Sequence, residues 1–181
     1  MNLTSALEES RSGCASALAA AVVDHAPCHV EPALRTSDGE LALEGHLQTP
    51  VRVDLLRKGN GQRVTVNSPV RRPGGTVIAS VHDVPVVVEP FLWDNATVDA
   101  EGLGPAVHVQ LRSWFLQWFD QYDSNNPDAH GLFGVTHFIS DPVRTASALQ
   151  FTVDFGSAPV AACENLLTEL ALAGASAVCV S

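Results

Sequence analysis

Residues 106–122 read AVHVQLRSWFLQWFDQY, and they form the most strongly helical pattern in the chain. On a helical wheel the apolar side chains of this stretch occupy an arc of roughly 140°, because they recur every three or four residues. The members of the arc are Val107, Leu111, Trp114, Phe115, Trp118, Phe119 and Tyr122. A helix with so wide an apolar face has to bury it, so we expect this face to form the main part of the core.

Before this helix, alternating apolar and polar residues predict an antiparallel meander. The alternation has a period of two, which is typical of strands with one buried and one solvated face. The segments concerned are 41–48, 51–55 and 63–67, followed by two more apolar stretches at 76–81 and 84–91. Asn60-Gly61 lies between the second and third segments and provides the positive φ angles of a tight hairpin turn.

After the helix, the pattern predicts a strand pair, a second amphipathic helix and a closing strand. The predicted ranges are 132–139 and 149–155 for the strands, 158–173 for the helix and 176–180 for the last strand. A β-α-β segment usually contains two parallel strands, either within one mixed sheet or in a small sheet of its own. With a further helix at 3–24, we predict an α+β fold in one domain, residues 1–181. A mostly antiparallel sheet of about five strands packs on the aromatic helix, and the β-α-β segment closes the chain.

Composition and charge exclude several classes of protein. The chain has 181 residues, of which 46% are hydrophobic, and this is enough for one buried core. It contains no apolar run long enough for a membrane span, and Glu8 and Glu9 stand where a signal peptide needs basic residues. The net charge of −10 argues against nucleic acid and anionic membranes as partners. We therefore expect a cytoplasmic protein whose four cysteines are reduced.

The candidate catalytic residues are His130 and His137 with Asp128 and Asp141, since an imidazole beside a carboxylate can act as a general base near neutral pH. The two histidines differ by an odd number, so on one regular strand they face opposite sides. The acidic loop at 120–130 lacks the ligand spacing of a calcium site. We therefore predict neither a metal nor a cofactor.

Three residues at the end of the second predicted strand pair match a known motif in sequence but not in context. Asp154-Phe155-Gly156 spells the magnesium-binding tripeptide of protein kinases, but the glycine-rich loop and the other kinase motifs are missing. Gly156 and Ser157 are better explained as the turn from a strand into the last helix. The backbone N–H groups at that helix start could bind an anion.

Basic residues concentrate in the predicted meander and the loop that follows it. Arg52 and Arg63 occupy polar positions of neighbouring strands, and Arg71 and Arg72 lie in the next loop. These four arginines could pair with the acidic flanks of the chain, at little gain in stability for exposed pairs. Alternatively, they form a binding patch for an acidic partner or for a second copy of the chain.

These observations favour a non-catalytic protein that binds another protein or forms a homodimer. In size, acidity and helix–sheet–helix order the chain resembles small bacterial secretion chaperones and toxin-immunity proteins, although no motif supports that resemblance. Two alternatives stay open at this point. One is a His/Asp-dependent hydrolytic enzyme, with or without a metal, whose site lies near residues 120–141. The other is a small-ligand sensor that uses the start of the last helix.

Overall fold

The computed structural model describes residues 2–68 and 75–181. Within these residues the chain forms three α-helices and twelve short β-strands. The helices are α1 (Leu3–Asp24), α2 (Val107–Phe119) and α3 (Val160–Leu172). The strands are β1 (Cys28–Val30), β2 (Leu43–Glu44), β3 (Thr49–Pro50), β4 (Leu55–Arg57), β5 (Arg63–Val64), β6 (Val77–Val81), β7 (Val84–Val88), β8 (Ala96–Glu101), β9 (Phe138–Ile139), β10 (Val143–Arg144), β11 (Ala148–Asp154) and β12 (Ala177–Val180).

The main sheet is mixed and has seven strands, so the prediction of about five strands was too low. Its order is β10-β11-β8-β12-β7-β6, and β9 pairs with one end of β11. Every pairing is antiparallel except that of β12 with β7. Since β11 and β12 are both antiparallel to β8, they are parallel to each other. The predicted β-α-β segment therefore joins the one mixed sheet, with β8 between its two strands.

The longest strand that the sequence patterns failed to predict is β8, at the centre of this sheet. Ala96, Val98 and Ala100 point into the core and are fully buried, whereas Thr97 and Asp99 alternate with them. Alternation is present, but two of the three inward residues are alanines, which have a low strand propensity. A small side chain fits here because strands on both sides and the aromatic core crowd the position.

The predicted meander exists only in pieces. β4 and β5 form the expected hairpin around Gly61, whose φ angle is +67°. β2 pairs with β3, and β1 adds to the other edge of β4. Residues 51–54 do not continue as a regular strand. Their polar side chains turn inward instead of facing solvent, which a period-two interpretation cannot anticipate.

The helices cover one another as well as the sheet. α3 contacts β6, β12, α1 and α2, and α2 also contacts β3. The Trp114 indole N–H donates to the Ala162 carbonyl of α3 at 3.0 Å. The Trp114 ring meets Phe155 edge-on, and Phe155 stacks on Trp93 with the ring centroids 4.5 Å apart. The predicted aromatic core is thus present, although α2 ends at Phe119 and leaves Tyr122 82% exposed.

No helix in the described part of the chain combines the length and the apolarity that crossing a lipid bilayer requires.

The aromatic face of α2 gives a stability prediction. Phe115 is fully buried, so Phe115→Ala should lower the free energy of unfolding by about 3–5 kcal/mol through lost burial and a residual cavity. Val109 lies on the same helix and is 73% exposed, so Val109→Ala should change the free energy of unfolding by no more than about 0.5 kcal/mol. Urea unfolding followed by tryptophan fluorescence measures both. Equal effects of the two variants would show that α2 does not pack as described.

Candidate functional site

His137 lies just before β9, where four separate segments of the chain meet. Its side chain is 1% exposed. Its backbone N–H donates to the Asp154 carbonyl at 2.9 Å, and its carbonyl accepts from the Arg52 N–H at 2.9 Å. These main-chain bonds join the segment that contains Arg52 to the end of β11, and they fix the imidazole between the two.

One imidazole nitrogen is bound by a fully buried carboxylate. His137 Nε2 lies 2.8 Å from Glu31 Oε1, which also accepts from the Ser157 N–H at 3.2 Å. Glu31 Oε2 accepts from the Phe133 N–H at 2.8 Å. Because a carboxylate can only accept hydrogen bonds when ionised, Nε2 carries a proton. Glu31 therefore fixes both the orientation and the tautomer of the ring.

The other imidazole nitrogen faces two aspartates. His137 Nδ1 lies 3.0 Å from Asp54 Oδ1 and 3.7 Å from Asp154 Oδ2, yet it has no aligned hydrogen-bond partner among the described residues. The remaining oxygen of each aspartate is held by the backbone. Asp54 Oδ2 accepts from the Val66 N–H at 2.7 Å, and Asp154 Oδ1 accepts from the Gly156 N–H at 2.8 Å. Each aspartate thus presents one free oxygen toward Nδ1.

Burial and charge act in opposite directions on this cluster. Burial would lower the pKa of His137, but Asp154, Asp54 and Glu31 favour the imidazolium and raise the pKa well above its ordinary value of 6.5. Burial would likewise raise the pKa of Glu31, but the His137 bond and charge, with the bonds from Ser157 and Phe133, hold it below 4.5. A neutral Nδ1 lone pair facing two carboxylates would be repelled, so this nitrogen needs a proton or a metal ion.

The ring fits its place because residue 156 is a glycine. Gly156 has a φ angle of +51°, and a Cβ atom there would overlap His137 Cδ2 and Nε2. The Cβ atom would also lie 2.7 Å from the Val135 carbonyl oxygen. Moving residue 156 toward Val135 therefore cannot relieve the overlap with the imidazole.

Asp54 and Asp154 also line a cavity of about 280 Å³. Seven of its nine lining residues have polar side chains, namely Asp54, Thr65, Asn67, Ser68, Asp94, Asn95 and Asp154, and the other two are Val66 and Leu92. The buried imidazole therefore lies behind two carboxylates that reach an open polar space. An ion bound by these side chains would be accessible to a small molecule in the cavity.

Of the four predicted catalytic residues, the structure brings only His137 into this cluster. Asp128 accepts from the N–H groups of His130 and Leu132 and so forms a local turn. Asp141 accepts from the N–H groups of His46 and Leu47, which anchors a different loop. His137 has no carboxylate partner in the 120–141 region, so the structure does not bring the four predicted residues together.

The predicted arginine patch is also corrected by the structure. Arg52 is 6% exposed and donates to the carbonyls of Phe119, Glu31 and Asp120 and to the Asp123 carboxylate. Its guanidinium lies 4.6 Å from the centre of the Phe119 ring. It ties the end of α2 to the segment that contains Glu31. Of the other three arginines, Arg63 is exposed, and Arg71 and Arg72 lie outside the described residues.

Three members of the cluster were missed because nothing local identifies them. Glu31 stands between Pro27 and Pro32, and the alternation around Asp54 predicts a solvent-facing strand position. Asp154 belongs to the kinase-like tripeptide, whose sequence context argues against a magnesium site. The backbone N–H groups at 156 and 157, considered above as an anion site, are occupied by Asp154 and Glu31. The available signal was weak: carboxylates placed beside a glycine turn and inside an apolar stretch.

Comparisons of the chain with protein-family models, with curated proteins and with solved structures found no match. The functional interpretation therefore depends on the geometry of the cluster. Asp54, His137 and Asp154 each offer one ligand atom, and these three atoms lie within 4.8 Å of one another. Two carboxylate oxygens and one imidazole nitrogen are a suitable ligand set for a divalent transition metal.

The contact between Gly156 and His137 can be tested with a pair of glycine variants. Gly134 also has a positive φ angle, +71°, but a Cβ atom there meets nothing within 4 Å. Gly134→Ala should lower the free energy of unfolding by about 1–2 kcal/mol, the cost of a left-handed alanine. Gly156→Ala should cost at least about 2 kcal/mol more, because it also displaces buried groups. Chemical denaturation of both variants gives the difference, and equal losses would contradict the described position of the imidazole.

The charges of the cluster predict a pH dependence for the metal-free protein. His137 has a raised pKa, so its stabilisation is complete below pH 6.5 and is lost as the pH rises through the folded-state pKa. Glu31 has a lowered pKa, so its stabilisation is present above pH 4.5 and is lost as the pH falls through the folded-state value. The free energy of unfolding should therefore decline on the alkaline side of pH 6.5.

Urea unfolding in the presence of a chelator, at a series of pH values up to 9, measures this decline. The imidazole Cε1–H resonance in NMR spectra, assigned by its loss in His137→Asn, reports the titration directly. A resonance that titrates below pH 6.5 would contradict the described charge balance.

Proposed function

We propose that the chain is a metal-dependent hydrolytic enzyme with one divalent ion bound by Asp54, His137 and Asp154. The observation that carries this proposal is the arrangement around Nδ1, which faces two carboxylate oxygens without an aligned hydrogen bond. Two ligands of a tetrahedral zinc ion, each about 2.0–2.1 Å from the metal, lie about 3.3 Å apart. The separations of 3.0 and 3.7 Å from Nδ1 to the aspartate oxygens lie on either side of that value.

The role of Glu31 supports the same assignment. A histidine that binds a metal usually donates its other ring N–H to a carboxylate, which orients the ring and raises its basicity as a ligand. Glu31 occupies this position at 2.8 Å from Nε2, and its own oxygens are held by two backbone N–H groups. We assign Glu31 as a positioning residue that does not itself reach the ion.

The number of ligands favours catalysis over a purely structural ion. Structural zinc sites usually have four protein ligands, whereas catalytic sites have three and keep a position for water. Here three protein atoms converge, and the two aspartates line the cavity of about 280 Å³. A divalent ion in this place would lower the pKa of a bound water and polarise a carbonyl oxygen in the cavity. Both effects serve the hydrolysis of an amide or ester.

Metal binding tests the first half of this proposal. Isothermal titration of the chelator-treated protein with ZnCl₂ should show one site per chain. Asp54→Asn and Asp154→Asn should each weaken binding at least tenfold, and Glu31→Gln should weaken it by about 10- to 100-fold. Asp128→Asn and Asp141→Asn are matched controls, because these carboxylates accept hydrogen bonds from backbone N–H groups of residues outside the cluster. Zinc binding that is equally sensitive in the controls would overturn the ligand assignment.

Hydrolysis tests the second half. A panel of chromogenic amides and esters should be turned over by the zinc- or manganese-loaded protein, and a chelator should abolish the activity until metal is restored. Asp54→Asn should remove it without unfolding the protein. Tight binding of one ion with no activity on any class of amide or ester would sink the catalytic proposal and leave only the metal site.

A non-catalytic, partner-binding function is a second proposal, and the exposed apolar residues support it. Ile78, Val109 and Tyr122 are each more than 70% exposed, and apolar groups at the surface can take part in a contact with a second copy of the chain. Light scattering combined with size-exclusion chromatography would detect a homodimer. Substitutions at the metal ligands should leave such an assembly unchanged.

A further inference from the structure

A third carboxylate lines the cavity beside the proposed metal centre. Asp94 precedes β8 and shares the cavity wall with Asp54 and Asp154. Its Oδ2 accepts from the Ser68 N–H at 3.1 Å. Its Oδ1 is buried and has no hydrogen-bond donor among the described residues. A buried carboxylate oxygen without a donor is costly, so this atom is suited to a donor that enters from the cavity.

The Ser68 hydroxyl is also buried, and its Oγ has no aligned hydrogen-bond partner in the described part of the chain. Thr65, Asn67 and Asn95 contribute further polar groups to the cavity lining. Each can donate or accept a hydrogen bond. The wall around Asp94 can therefore hydrogen-bond a polar group, and the unpartnered Asp94 oxygen requires that this group include a donor.

The charge balance indicates which donor is preferred. Asp54, Asp94 and Asp154 contribute three negative charges, and no lysine or arginine among the described residues lines the cavity. Glu31, bonded to His137, adds a fourth negative charge, so a divalent ion beside a neutral His137 would leave two negative charges uncompensated. A positive charge on the substrate would offset one of them at the cavity wall, and buried charges in proteins are normally paired.

We propose that the substrate carries a primary ammonium group, which Asp94 Oδ1 binds while the adjacent carbonyl reaches the metal. This inference rests on the proposed function, because it places a substrate at the same ion. The cavity is slightly below the usual range of drug-sized pockets, so it suits a substrate the size of one or two amino acids. Small α-amino amides combine an ammonium group and an amide carbonyl within one residue.

The reaction that follows needs water as its only co-reactant. Asp54, His137 and Asp154 would hold the ion, which would supply an activated water; the oxygen of that water would form a bond to the carbonyl carbon, and the amide C–N bond would break. The electron pair of that bond and a proton from the water go to the leaving amine. In this arrangement Asp94 binds the substrate and determines specificity, while Asp54, His137 and Asp154 hold the ion.

A pair of probes separates the ammonium from the rest of the ligand. Glycinamide carries the ammonium group at pH 7, because an unperturbed α-amino group has a pKa of about 7.7–8.0. N-acetylglycinamide lacks this group. The zinc-loaded wild-type protein should bind glycinamide at least about tenfold more tightly than N-acetylglycinamide, since only glycinamide can form the charged hydrogen bond to Asp94. Competition calorimetry or NMR titration at pH 7 measures both affinities.

The matched variants are Asp94→Asn and Asp99→Asn. Asp99 lies in β8 and accepts a hydrogen bond from Gln150, away from the cavity wall. Asp94→Asn should reduce the preference for glycinamide to less than twofold while zinc affinity stays within threefold of wild type. Asp99→Asn should keep the full preference.

The possible outcomes distinguish this inference from the proposed function. Absence of zinc binding that depends on Asp54 and Asp154 would overturn the metal centre itself. Zinc binding with equal affinity for glycinamide and N-acetylglycinamide would overturn the ammonium assignment alone. This comparison uses only the wild-type protein, so it does not depend on whether a variant folds. A preference that survives in Asp94→Asn would likewise overturn the role of Asp94.

Discussion

The buried pair of Glu31 and His137 is the interaction around which the other parts of the cluster are arranged. A fully buried carboxylate is costly unless it is both paired and hydrogen-bonded. Glu31 meets both conditions with one imidazole and two backbone N–H groups. The bonds join the loop after β1, the segment before β9 and the turn before α3. Loss of His137 would leave the Glu31 carboxylate buried without an opposite charge.

Arg52 reinforces the same region from the opposite side. Its guanidinium donates to the Glu31 carbonyl, and its backbone N–H donates to the His137 carbonyl. One residue therefore holds the main chain of both members of the buried pair. It also reaches the end of α2 through Phe119 and Asp120, which links the aromatic core to the cluster. The precision of the site thus comes largely from backbone bonds, and these tolerate changes in neighbouring side chains.

Sequence patterns predicted the elements of this fold better than the site. Periodicity located α1, α2, α3, the β6–β7 pair, β11 and β12, because each buries a regular face. It failed at β8, where alanines replace large apolar residues, and at 51–54, where Arg52 and Asp54 turn inward. The site joins Glu31, Asp54, His137 and Asp154 across long separations. No local rule relates these positions, since only the folded main chain brings them together, and His137 is the one member that the sequence analysis predicts.

The order of strands in the main sheet has a consequence for how the chain reaches its native state. β12 lies between β8 and β7, and its pairs include Val178 with Val86 and Cys179 with Asp99. Contacts this distant in sequence close large loops, so the entropy of the chain opposes them until many form together. Collapse around α2 and α3 is local by comparison and should come first. The edges of β7 and β8 stay unpaired until β12 adds between them. During that interval the polypeptide is most susceptible to aggregation.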